Sequence, residues 1–179
     1  MKVYHGSKSN FDQFNHDYIG ANGTSEGIGF YFTDSKRIAE GYAEKGYLYT
    51  VEFNGKKSLS STSKTITKSQ LKKFLKILNT KRDYLSNYGD IEYEGLQKVL
   101  NEAVENEYNI NDNDVDLICG ICHGLGNSET CLTTFYNVLG YDSIILDASW
   151  GLTKDGMTQR LYIALVNEAF NIVEVKKFN

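Results

Sequence analysis

The spacing of apolar residues changes twice along the chain, and this change most restricts the folds open to it. Near both ends apolar and polar residues alternate, as in LYTVEF over 48–53, which is typical of strands. In the middle, apolar residues recur at helical spacing, as they do between Leu71 and Leu78. Strands, then helices, then strands predict an α+β fold in which helices are inserted between two portions of sheet.

The predicted elements follow from this spacing and from turn residues. Strands are expected over residues 2–4, 28–33, 48–53, 142–146, 161–166 and 172–176. A short helix begins after Asp34 or Ser35, either of which can cap it, and runs to about Ala43. Further helices contain 71–78 and 96–104, and the last begins near Asn127 and ends at Gly140. We expect a single domain over 1–179, with a helical insertion at about 60–140.

Composition and charge exclude several classes of protein. The chain is 41% hydrophobic and 23% charged, which is typical of globular proteins rather than disordered ones. Its net charge of −4 makes nucleic acid an unlikely general partner. It lacks an apolar run long enough for a membrane span or a secretory signal, and three cysteines fit a reducing compartment. We therefore expect a cytoplasmic protein with no membrane partner.

A cluster of thiols and an imidazole lies near the end of a predicted helix. Cys119-Gly-Ile-Cys122-His123 matches the pattern of c-type haem attachment. With Cys131, the segment has four candidate zinc ligands. Haem attachment of that kind requires export, and zinc sites normally have a second well-spaced pair of ligands. The sequence therefore predicts buried structural cysteines and no metal.

Two N-terminal segments carry the most specific pattern. GIGFYFTDSKRIAEGYA, over 27–43, places Tyr31 on a strand and Tyr42 on the next helix, while VYHGS places His5 and Gly6 directly after the first strand. Taken singly, each residue is typical of ordinary packing. Together they resemble the ADP-ribosyltransferases, in the diphtheria-toxin-like branch that includes the poly(ADP-ribose) polymerases. The run from the first strand glycine to the helix tyrosine has the same length there, without a gap.

A second resemblance covers most of the remaining chain. LYTVEF, VLGYDSIIL and LYIALVN are similar to strands of the small ADP-ribosyltransferase domains of phage and mobile-element polyvalent proteins. The resemblance implies two small antiparallel sheets that split around an NAD cleft, with the helical insertion between them. It also implies NAD+ as the substrate that carries the transferred group.

The resemblance implies a role for each matching residue. Tyr31 and Tyr42 would stack on either side of the nicotinamide ring, which is cationic and aromatic. Tyr31 is also a catalytic candidate. Gly6 would offer its backbone N–H and C=O to the carboxamide, because glycine permits close approach. His5 would bond a ribose hydroxyl of the adenosine half, assisted by Ser7.

The third motif departs from the family pattern. Many relatives place a glutamate at the start of a late strand, but GMTQRLYI over 156–163 contains no carboxylate. Alignment on Tyr162-Ile163 puts Leu161 at that position, and a shift of two residues on the same strand face puts Gln159 there. We choose Gln159 as the second catalytic candidate. If it is wrong, the alternatives are Asp155, Tyr162 and Glu168.

The loop DASWGLTKDGM, over 147–157, precedes this strand where relatives contact the acceptor. Trp150 and Gly151 either pack beneath the loop or touch the acceptor. The resulting hypothesis is a mono-ADP-ribosyltransferase that modifies a macromolecule, expected to be a protein, as a phage or mobile-element effector acting on a host factor. An inactive binding protein of the same fold and an NAD+ glycohydrolase toxin are the alternatives.

Overall fold

A computed structural model describes residues 1–15, 29–62, 64–78, 93–124, 128–148 and 159–178. The chain divides into two compact units. The first contains the strands and the first helix, and the second spans nearly all of the residues between 60 and 140.

The first unit is a sheet with one helix. Its strands are β1 (Lys2–Ser7), β2 (Phe30–Thr33), β3 (Tyr47–Phe53), β4 (Ser58–Ser60), β5 (Ser143–Ala148), β6 (Gln159–Ala164) and β7 (Phe170–Lys177), and its helix is α1 (Lys36–Ala43). The strand order is β4-β5-β6-β2-β1-β3-β7. The six predicted strands are confirmed, with shifted ends. β4 escaped prediction because three residues are too few to show an alternation.

The sheet is continuous, which corrects the expectation of two separate small sheets. β1 pairs with β3 over six residue pairs, along the whole of β1. Among the described residues β1 pairs with β2 at Tyr4↔Thr33 alone, while β2 pairs with β6 over its full length. The half with β4, β5, β6 and β2 therefore joins the half with β1, β3 and β7 through one residue pair. Because of that pair, the strands form one seven-stranded sheet rather than two sheets.

Alternate side chains point to opposite faces of this sheet. We call one side the aromatic face, because it carries a buried cluster that includes Val3, Phe14, Phe30, Phe32, Tyr49, Phe53 and Tyr162. We call the other side the helix face, because α1 packs on it at Gly6. Strand register places Tyr31, Leu161 and Gln159 on the helix face as well.

The close contact between α1 and β1 depends on small residues. A Cβ atom at Gly6 would clash with the carbonyl oxygen of Ala39 and the amide nitrogen of Ala43, and both alanines are buried. Because the obstructing atoms belong to the helix backbone, they cannot move aside by a change of rotamer. Glycine at this position is therefore needed for α1 to lie where it does.

The second unit contains helices α2 (Lys68–Leu78), α3 (Tyr93–Ile110), α4 (Asp114–Gly124) and α5 (Ser128–Leu139). The predicted helices are confirmed. α2 buries the face that contains Leu71 and Leu78. α5 ends at Leu139, and the next residue, Gly140, has a φ of 68° that favours glycine. The carboxylate of Asp114 is buried, but it accepts hydrogen bonds from Thr65 and Ile66, so its charge is satisfied.

Two features are absent from the described residues. These residues contain no helix long and apolar enough to cross a membrane. They also contain no group of three or more His, Cys, Asp or Glu side chains that could hold a metal ion. Cys119, Cys122 and His123 lie on α4, and Cys131 lies on α5, but their side chains are outside the description.

Candidate functional site

The direction of the backbone groups of β1 follows from one pair of hydrogen bonds. The terminal amine of Met1 donates to the carbonyl oxygen of Phe53 at 2.7 Å, and the Phe53 amide donates back to Met1 at 2.6 Å. In an antiparallel ladder, every second residue then bonds to the same neighbour. Odd-numbered residues of β1 therefore bond to β3, and Tyr4 and Gly6 direct their N–H and C=O groups toward β2.

The ladder between β1 and β2 ends before it reaches Gly6. Their described pairing is Tyr4↔Thr33, and continuing that register would place Gly6 opposite Tyr31, where the two strands are not paired. The N–H and C=O of Gly6 consequently point toward β2 beyond the last ladder pair, and we call this stretch without ladder pairs the gap. One donor and one acceptor side by side form the pattern that binds a planar carboxamide.

The His5 side chain makes a contact across this gap. Its Nδ1 lies 2.8 Å from the carbonyl oxygen of Tyr31. A carbonyl can only accept, so Nδ1 carries the hydrogen, and Nε2 of the neutral ring is an acceptor. The imidazole thus supplies a link between β1 and β2 just beyond the last ladder pair.

Aromatic rings surround His5 on the aromatic face. The centroids of Phe14, Phe32 and Tyr49 lie 5.0, 6.0 and 6.0 Å from its ring, all in edge-on arrangements. Burial lowers the pKa of His5, and the hydrogen bond to Tyr31 opposes that effect in part. The ring is therefore neutral at neutral pH. Its predicted contact with a ribose hydroxyl stays a prediction.

The segment after β1 is fixed by two hydroxyl groups. Ser7 Oγ accepts the backbone N–H of Ser9 at 3.1 Å. The hydroxyl of Tyr49 accepts the N–H of Phe11 at 2.8 Å and lies 3.2 Å from the carbonyl oxygen of Ser9, to which it donates. Burial raises the pKa of Tyr49, so its proton stays in place. Ser7 is thus a turn residue here, and its assistance to ribose binding stays a prediction.

The two tyrosines lie on elements that both border Gly6. Tyr31 is half-buried on the helix face of β2, and Tyr42 lies on α1, beside the buried Ala43. Tyr42 is 60% exposed, whereas Ala39 and Ala43 of the same helix are buried. α1 contacts both β1 and β2. The stacking of a ring between these tyrosines stays a prediction.

Gln159 is the first residue of β6 and lies on the helix face. It is only 4% exposed, and its Oε1 has no hydrogen-bond partner in the part of the chain that the structure describes. A buried carbonyl without a partner destabilises a folded protein by about 1–3 kcal/mol. This side chain can therefore bind a hydroxyl or amide donor that the described residues do not supply.

Polar contacts hold the start of β6 in place. The Arg160 amide donates to Asp34 Oδ1 at 3.0 Å, and the Asp34 amide lies 3.4 Å from the Arg160 carbonyl oxygen, to which it donates. The guanidinium Nε of Arg160 donates to Asp147 Oδ1 at 3.0 Å, and this bond raises the pKa of Arg160. The sequence did not predict this cluster, because it marks Asp34 only as one of two possible helix caps, with Ser35 as the other. Ser35 occupies the cap position, without a side-chain cap bond.

The alternatives to Gln159 have different surroundings. Leu161 is buried on the helix face opposite Thr33, and Tyr162 is buried on the aromatic face, where burial raises its pKa. Glu168 is exposed in the 3₁₀ turn Asn167–Ala169, beyond the other end of β6. Asp155, like Trp150 and Gly151 of the acceptor loop, lies outside the described residues.

Comparison with known proteins gives the family. Residues 1–169 match ART-PolyVal, the ADP-ribosyltransferase in polyvalent proteins. A crystal structure of an anti-CRISPR protein is similar, with 15% sequence identity and a TM-score of 0.42 over 97% of this chain and 95% of that one. No curated protein matches the chain. The match confirms the resemblance seen in the sequence, and the chain belongs to the family of ADP-ribosyltransferases in polyvalent proteins.

Proposed function

We propose that this protein is a mono-ADP-ribosyltransferase that cleaves NAD+ and transfers one ADP-ribose to a protein. Membership of the family supports the general activity and NAD+ as the substrate. The observation that carries the proposal is the composition of the helix face. This face carries Gly6 and the half-buried Tyr31. It also carries Gln159, which lies four residues along β6 from Ile163, the partner of Tyr31, and whose side-chain carbonyl has no partner among the described residues.

The N-terminal residues of this face suit the nicotinamide half of NAD+. The N–H and C=O of Gly6 would bond the carboxamide, since both groups face the gap beside β2. Tyr31 and Tyr42 would stack on the ring, and aromatic faces attract a cationic ring. The high exposure of Tyr42 fits this role, because an exposed ring can cover a ligand without displacing core residues.

Gln159 suits the nicotinamide ribose. Its Oε1, which has no hydrogen-bond partner among the described residues, would accept a ribose hydroxyl. An amide holds the hydroxyl but brings no negative charge. It also cannot act as the base that chain elongation requires to activate a hydroxyl of a unit already attached. We therefore propose one ADP-ribose at each modified site and no chain.

The proposed acceptor is a host protein. The protein would act in the host cytoplasm as a phage or mobile-element effector, in keeping with its family. The sequence between β5 and β6 carries Trp150 and Gly151, and we assign this segment to contact with the acceptor. Support for this assignment comes from its place in the sequence, directly before Gln159.

The test uses NAD+ labelled in its adenosine half. Incubation with cell lysate should label one or a few proteins, and mass spectrometry should find a single ADP-ribose per modified residue. Gln159→Ala should lower kcat more than NAD+ affinity, because its hydrogen bond gains most as charge develops on the ribose.

Other results would point to the alternatives. Release of nicotinamide without labelled protein would mean that water is the acceptor and that the protein is an NAD+ glycohydrolase. Binding of NAD+ with no release of nicotinamide would mean an inactive binding protein. Full activity of Gln159→Ala would show that the third motif lies elsewhere, and Asp155 would be the next residue to replace.

A further inference from the structure

The strand β7 forms one edge of the sheet and is open to solvent. The strand order ends at β7, and its residues from Val173 to Lys177 are all exposed. Val173 and Val175 are 60% and 41% exposed, which places them among the few large apolar side chains exposed in the described part of the chain. An open edge with apolar side chains is a surface on which another strand can pair.

The backbone of β7 has its free groups where a second strand would need them. The Phe178 amide donates to the carbonyl oxygen of Gly46 at 2.9 Å. Gly46 directly precedes β3, and this pair continues the register between β3 and β7. Every second residue therefore bonds to β3, which includes Glu174 and Lys176, opposite Thr50 and Leu48. The N–H and C=O groups of Val175 and Lys177 then point away from β3, toward the open side.

In one antiparallel register, the charged residues of one copy of β7 lie opposite residues of opposite charge in a second copy. If two copies of β7 pair antiparallel with Val175 opposite Val175, each Glu174 lies opposite Lys176 of the other copy. Moving the register by two residues in either direction places Glu174 opposite Glu174, or Lys176 opposite Lys176. Opposite charges across a strand pair stabilise it, and like charges destabilise it. Charge therefore selects the register centred on Val175.

We propose that β7 is the interface of a homodimer, in which the sheets of two copies join through an antiparallel β7–β7 pair about a two-fold axis at Val175. Val175 and its counterpart exchange both backbone hydrogen bonds, since their free groups point outward. The Glu174–Lys176 pairs on either side are not hydrogen-bonded through the backbone, so their side chains come closest. A two-fold pair of this kind is closed and leads to no further assembly at this edge.

A bulge in β7 limits the length of this pairing, and the position of the Lys176 side chain allows it to reach the other strand. A bulge leaves Val173 as an extra residue between Ile172 and Glu174, so regular pairing begins at Glu174. Lys176 Nζ lies 5.9 Å from the ring centroid of Phe178, at the outer limit of a cation–π contact, so it is free to reach a carboxylate. The paired segment is therefore short, and the dimer depends on protein concentration.

A charge-swap series tests the proposal by analytical ultracentrifugation over a range of concentrations. The wild type should shift from monomer to dimer as concentration rises. Glu174→Lys and Lys176→Glu should each stay monomeric, and the double variant should dimerise again. Glu168→Lys, in the exposed turn before β7, is the control that changes charge without touching the strand. Circular dichroism shows that each variant is folded.

Cross-linking tests the register. Paired Cα atoms that exchange both bonds lie about 5.5 Å apart, within reach of a disulfide. Val175→Cys should form a covalent dimer on mild oxidation, whereas Glu174→Cys and the wild type, with its three native cysteines, should not. A wild type that stays monomeric at every concentration would overturn the proposal. A double charge variant that folds but does not dimerise would also overturn it.

Discussion

The aromatic face and the helix face of the same sheet differ in how completely their polar groups are bonded. On the aromatic face, the imidazole of His5 and the hydroxyl of Tyr49 lie inside a cluster of rings, and both have hydrogen-bond partners. On the helix face, Gln159 keeps a buried carbonyl without a described partner, and the Gly6 backbone opens onto a gap. Folding alone explains the first arrangement. The second leaves binding capacity that the described residues do not use.

This difference between the two faces bears on the stability of the first unit and on its proposed site. Rings packed edge to face stabilise beyond the area that they bury. A buried carbonyl without a partner does the opposite, and in a native protein such a group is completed by a water, an ion or a ligand, or serves catalysis. We therefore propose that the aromatic face contributes much of the stability of the sheet and that the helix face binds NAD+.

The largest expected effect is the loss of a ring at the centre of the aromatic face. Phe14 is 8% exposed and packs against His5, Phe30, Phe32 and Phe170. Phe14→Ala should lower the free energy of unfolding by about 3–5 kcal/mol, as measured by urea denaturation. A change below about 1 kcal/mol would mean that the cavity collapses freely and that this face is not the main source of stability.

A smaller loss is expected where α1 touches β1. Gly6→Ala should destabilise by about 1–3 kcal/mol, because its Cβ meets the backbone of Ala39 and Ala43. Gly41→Ala is the matched control, since a Cβ there meets nothing within 4 Å. The control should stabilise by up to about 1 kcal/mol through helix propensity. Equal effects at both positions would contradict the close contact described here.

The pH dependence of stability should report on His5. Its pKa is lower in the folded protein than in the unfolded chain, so below about pH 6.5 the unfolded chain binds more protons. Stability should therefore fall as pH drops from 7 to 5, and His5→Gln should remove this part of the slope. Melting temperatures of both proteins across that range provide the measurement. Parallel curves would show that His5 titrates normally.

The smallest effect on stability is expected on the exposed part of the helix face. Tyr42→Ala should change the free energy of unfolding by less than about 0.5 kcal/mol, because the side chain is exposed. It should nevertheless weaken NAD+ binding by about 1–3 kcal/mol, the range for loss of an aromatic ring stacked on a base. Isothermal titration calorimetry measures the affinity. Unchanged affinity would remove Tyr42 from the site.

The sequence predicts the strands and helices better than it predicts which distant residues contact one another. The spacing of apolar residues predicted six strands and the main helices, because periodicity is a local property of the chain. It did not predict that the segment after β1 returns through Phe14 to cover His5, or that Asp34 binds Arg160. Such contacts join distant parts of the sequence and leave no periodic signal.

The same limit applies within the candidate site. The resemblance identified Gly6 and suggested close approach to a ligand, but the structure shows that α1 itself approaches this residue. For Gln159, the choice rested on strand parity alone, and burial of its side chain with an unpartnered oxygen could not be read from the sequence. Periodicity assigns a residue to a face, and only the packed structure shows which polar atoms lack partners.

The most direct test of the helix face as the NAD+ site is amide hydrogen exchange at Gly6, followed by NMR with and without NAD+. The Gly6 N–H faces the gap, whereas the amides of Val3 and His5 lie in the ladder to β3. If NAD+ binds at the helix face, it should slow exchange at Gly6 and leave Val3 and His5 nearly unchanged. Saturation with NAD+ that leaves exchange at Gly6 unaltered would contradict it.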